Sequence, residues 1–95
     1  MTTAFENFLN DYMPADPFFT SFDEVYIIKE KVIGELIFEK KEVTPENVRQ
    51  VRNQIVKFYD KFFEPGSEQF YDKMNALQSI TTAIDYLITK IGGDI

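Results

Sequence analysis

Two runs of apolar residues at helical spacing constrain this chain more than anything else in it. The first is Val48, Val51, Ile55, Phe58 and Phe62; the second is Phe70, Met74, Leu77, Ile80, Ile84, Leu87 and Ile91. Steps of three and four put each set on one side of an α-helix. Glu64-Pro65-Gly66-Ser67 separates them, a stop and a restart, because proline and glycine interrupt helical winding. A break this short predicts that the two helices are antiparallel neighbours.

The rest of the chain extends the pattern. Thr3 followed by Glu6 reads as a capping box, and Phe5, Phe8, Leu9 and Tyr12 then share a face, which predicts a short helix over about 4–13. Pro14-Ala15-Asp16-Pro17 breaks it and is the linker-like stretch of the sequence. Ser21 with Glu24 forms a second capping box, preferred as a helix start over Asp16-Pro17. The helix it opens is expected over about 21–41, with Phe22, Val25, Ile28, Val32 and Leu36 buried and Ile33 and Ile37 flanking them. Gly34 inside it costs roughly 1 kcal/mol relative to alanine and suggests a close helix contact. A β-hairpin over the same residues fits less well, because alternation is poor and turn chemistry weak. Thr44 as N-cap, Pro45 in the first turn and Glu46 at the positive dipole end open the next helix, over about 45–64. Ser67 is expected to cap the last, over about 67–91, which Gly92-Gly93 ends. The expected fold is therefore all-α: an antiparallel bundle of three long helices plus the short N-terminal one. With 95 residues there is room for one core, hence one domain over 1–95.

Composition removes most chemistry. There is no histidine and no cysteine, so triad hydrolysis, thiolate metal sites and Glu-x-x-His di-metal sites are excluded, and no cofactor is implied. No glycine-rich phosphate loop and no alternating-acid calcium loop occurs. A carboxylate dyad is disfavoured, because no acid interrupts the apolar runs of the last two helices. The expectation is a non-enzyme with no catalytic residue. The net charge of −6, from 16 acids against 10 bases, argues against nucleic acid or an anionic membrane as partner. Arg49, Arg52 and Lys57 form a modest basic strip, too little for a helix-turn-helix reader in so acidic a chain. The longest unbroken apolar run is Val25-Tyr26-Ile27-Ile28, and no basic stretch with a long apolar run opens the sequence; the cytoplasm is the default location.

What remains is binding. The antiparallel arrangement would gather aromatic residues at the end marked by Glu64-Pro65-Gly66-Ser67: Phe18, Phe19, Phe22 and Tyr26 with Phe58, Tyr59, Phe62, Phe63, Phe70 and Tyr71. Adjacent pairs such as Phe62-Phe63 cannot point the same way on one helix, so some rings should stay exposed, as at partner sites. Phe18, Phe19, Tyr59, Phe63 and Tyr71 are the expected partner-binding residues. The expected function is that of a small acidic protein-binding module of immunity, inhibitor, chaperone or adaptor type, with a basic partner as the one its charge would steer. The alternatives are an acidic mimic of nucleic acid that inhibits a DNA- or RNA-binding protein, and a structural homo-oligomer such as a homodimer.

Overall fold

The computed structural model describes residues 4–14 and 21–92. These residues are all-helical, without a strand, so the hairpin alternative is excluded. The elements are α1 (Ala4–Asp11), α2 (Phe22–Phe38), α3 (Pro45–Tyr59), a 3-10 turn (Asp60–Phe62) and α4 (Phe70–Lys90). The helix α3 packs on α4, and α2 packs on both. Among the described residues, no helix is long and apolar enough to cross a membrane.

The predicted starts of α2 and α3 are where the cap chemistry puts them. Ser21 Oγ accepts from the Glu24 backbone N–H at 3.3 Å, and Glu24 Oε2 reaches back to the Ser21 N–H at 3.3 Å. Thr44 Oγ1 accepts from Asn47 N–H at 3.2 Å, with Pro45 in the first turn. The proposed Thr3 cap of α1 lies outside the described residues.

The helix ends depart from expectation in four places. α1 stops at Asp11 rather than 13, since the residue before Pro14 is steered away from helical geometry. α2 stops at Phe38 rather than 41. There Lys40 takes a left-handed φ of 58°, Lys41 N–H bonds Leu36 C=O at 2.8 Å, and Lys40 N–H bonds Ile37 C=O at 3.0 Å. That paired pattern is a Schellman stop; it carries no sequence signal here because lysine stands where glycine is usual. α3 tightens into the 3-10 turn after Tyr59 instead of continuing to 64. Ser67 does not cap α4; Gln69 holds the N-cap position without a side-chain bond, and winding starts at Phe70. The expected stop after α4 is present, with Gly92 at φ 87° and its N–H on Thr89 C=O.

The core faces are close to the predicted stripes but rotated. Ile28, Val32 and Leu36 of α2 are buried, whereas Phe22 is 84% exposed. On α3 the buried row is Val48, Val51, Ile55 and Tyr59, with Phe58 and Phe62 half-buried beside it. On α4, Ala76, Ser79 and Ala83 join Ile80, Ile84, Leu87 and Ile88 inside, and Met74 turns outward. Small residues win the contact side because they let helix axes approach closely. Gly34 makes no such approach: a Cβ there would meet nothing within 4 Å.

Candidate functional site

The described aromatic residues expected at one end divide into two regions instead. The start of α2 does not lie beside the start of α4. Phe22 and Val25 share a hollow with Thr82, Ala83 and Tyr86, in the second half of α4. Phe22 and Tyr26 are thereby separated from the rings around the α3–α4 connection.

The first region is closed. Phe58, Tyr59 and Phe62 stand within 5.5–6.0 Å of one another between ring centroids. Lys61 Nζ lies 4.3 Å from the Phe58 centroid. α1 lies over this cluster, and polar side chains from α3 and α4 hold it there. Tyr59 Oη donates to Leu9 C=O at 3.2 Å. Lys73 Nζ donates to Asn10 C=O and sits 5.1 Å from the Phe62 centroid. Leu9 and Asn10 belong to the last turn of α1, whose carbonyls have no partner within the helix. Tertiary donors thus do the work of a C-cap.

Just beyond α1, Tyr12 Oη donates to Glu24 Oε1 at 3.0 Å and meets Ser79 Oγ at 3.1 Å. The phenol has one proton, and it is aimed at the carboxylate, so Ser79 is the donor in the second bond. All three side chains are buried. Burial pushes the Tyr12 phenol up to about 12; the Ser79 bond opposes that rise, and the Glu24 carboxylate adds to it. Burial also pushes Tyr59 up, with a smaller contribution from Tyr12. Burial pushes the Lys73 ammonium down, partly offset by Asp11 and Asp72. Sequence reading missed Glu24 and Lys73 as interior groups, because charged types are ordinarily assigned to the surface.

The expected partner-binding residues fall as follows. Phe18 and Phe19 lie outside the described residues. Tyr59 is no surface residue: it is 0% exposed, because it continues the Val48, Val51, Ile55 row by one helical step. Phe63 is half-buried and stacks edge-on against Phe70 at 5.6 Å. Tyr71 is 72% exposed and meets Phe70 at 5.3 Å. The set is therefore not one patch.

The second aromatic region is open. Phe22, Val25, Tyr26 and Lys29 of α2 face Tyr86, Leu87 and Lys90 of α4 across a groove of about 550 Å³, with Asp23 at its edge. Tyr26 is 60% exposed and Tyr86 44%. Lys90 Nζ lies 5.3 Å from the Tyr86 centroid. Farther along α2, Ile37 and Phe38 are also exposed. A second groove, of about 410 Å³, runs between α1 and α2 past Phe5, Gly34 and Phe38. The signal for the open face was present in the sequence: α2 carries more apolar residues than one core face can use.

Among the described residues, no three carboxylates converge to hold a metal ion. The Tyr12, Glu24 and Ser79 side chains bond one another, and Glu24 also accepts from Ser21. Comparison with known protein families, curated proteins and solved structures finds no match to this chain.

Proposed function

We propose that this chain is a small, non-catalytic protein-binding module that docks through the outer face of α2 and the adjoining end of α4. One observation carries the reading. The helix α2 buries Ile28, Val32 and Leu36 and still presents Phe22, Tyr26 and Ile37 outward. A helix apolar on more than one face is ordinarily enclosed, and aromatic side chains are the largest carriers of buried apolar area at interfaces. Clustered exposed aromatic groups with a charged rim are the composition of interface centres. The antiparallel order of α2, α3 and α4 belongs to the same proposal, supported by the short α2–α3 link and the Arg52–Asp85 pair at 3.0 Å between α3 and α4.

The test is site-specific photo-crosslinking in the source cells. A photoreactive residue at Phe22 or Tyr86 should capture the same protein, whereas one at Asn53, exposed on α3, should not. Affinity for that protein, purified, should then fall more than about tenfold in a Phe22→Ser, Tyr26→Ser variant, about 1.4 kcal/mol or more. Equal capture from Asn53, or unchanged affinity in the double variant, would remove the reading.

A further inference from the structure

Building on the docking reading above, we infer that the α2–α4 groove receives an amphipathic helix of a different protein, and that this helix places a carboxylate against Lys29.

The outer row of α2 runs Phe22, Tyr26, Lys29, Ile33, Ile37. Its steps of four, three, four and four keep one line along the helix, as in the seam of a packed helix pair. Lysine stands at the middle of that line. At Phe22 the seam widens into the hollow formed with Val25, Thr82, Ala83 and Tyr86, where Ala83 and Thr82 leave space for a large apolar anchor.

The charge of the groove runs against that of the chain. The protein carries −6 overall, yet Lys29 and Lys90 flank the aromatic walls from opposite helices. Lys29 forms no ion pair with any described residue, and Lys90 spends its charge on the face of Tyr86. A desolvating partner must compensate Lys29, because an unpaired charge at the centre of a closed seam is costly. Asp23, at the N-terminal end of α2, is the remaining charge. It gives the groove a negative end and a positive end, so the docked helix has a preferred direction. The basic partner suggested by overall charge does not fit this face.

The same lysine argues against a second copy of this chain as occupant. The midpoint of the Phe22–Ile37 row falls between Lys29 and Glu30. A two-fold antiparallel pairing of that row sets Lys29 beside the other copy's Lys29, and a parallel pairing does so too. Like charges at the centre of a seam select against that arrangement. A carboxylate on another chain turns the same position into a register mark.

The experiment is a selection. Helical peptides of about five turns, with apolar anchors spaced to match the row and one fully randomised central position, are displayed on phage. They are selected against the intact protein, Lys29→Glu and Phe22→Ser. We expect Asp or Glu at the central position to be enriched about tenfold over Lys or Arg, equivalent to about 1.4 kcal/mol. The preference should reverse on Lys29→Glu, and binding should be lost on Phe22→Ser. Helices that need Phe22 but show no charge preference would overturn the inference and leave the docking reading standing. If no enriched helix depends on Phe22, both fall. Sedimentation of a dimer that dissociates in Phe22→Ser would overturn the inference in favour of self-association.

Discussion

The closed aromatic cluster under α1 and the open aromatic groove between α2 and α4 are built from the same residue types and differ in what lies over them. In the closed cluster each polar tip has an internal partner: Tyr59 reaches Leu9, Tyr12 reaches Glu24 and Ser79, and Lys73 reaches Asn10. In the open groove Phe22 and Tyr26 of α2 and Tyr86 of α4 have apolar flanks and no covering element among the described residues. The difference shows that an aromatic stripe becomes core when another helix supplies both apolar cover and partners for its polar atoms. Without that cover it remains a surface able to supply binding free energy.

Four measurements test this contrast. Tyr59→Ala should be the most damaging, costing about 3–5 kcal/mol, because it empties the core and releases the end of α1. Denaturant unfolding measures it, and a loss below about 1 kcal/mol would mean that α1 does not close the cluster.

Alkaline pH should come next. Tyr12 has a raised folded pKa of about 12 against an ordinary 10, so the fold favours the neutral phenol. Its stabilisation is complete below pH 10 and is lost as pH rises toward 12, amounting to about 2–3 kcal/mol. Tyr59 acts in the same direction. Unfolding free energies measured from pH 9 to 12 should fall more steeply in the wild type than in Tyr12→Phe; parallel curves would contradict the network.

At neutral pH, Tyr12→Phe should cost about 1–3 kcal/mol, because Glu24 and Ser79 stay buried without the hydroxyl between them. Amide exchange should rise along α1 first. The smallest effect belongs to the open region. Phe22→Ser should change stability by no more than about 0.5 kcal/mol, while abolishing capture of the crosslinked partner. A Phe22→Ser loss approaching that of Tyr59→Ala would make the groove a core after all.

Much of the helical framework was legible from local chemistry. Ser21 with Glu24, Thr44 with Pro45, and Gly92 act within one helical turn of themselves, so short-range sequence suffices to place them. Lys40 was not legible as a stop. Its left-handed conformation is imposed by bonds back to Leu36 and Ile37, not by an intrinsic preference of lysine. The gathering of aromatics at one end failed for a similar reason. It assumed that α2 and α4 begin together, and their axial offset is a property of packing.

Local spacing thus settled that the chain is helical, roughly where its helices lie and which side of each is apolar, because capping and periodicity are interactions among near neighbours. Tertiary packing alone decided that Tyr59 goes inside and Phe22 outside, that Glu24 and Lys73 are tolerated in the interior, and that Lys29 and Lys90 flank one groove. Each of those facts depends on which distant backbone carbonyl, hydroxyl or ring comes within a few ångströms. No spacing within a single helix encodes that proximity.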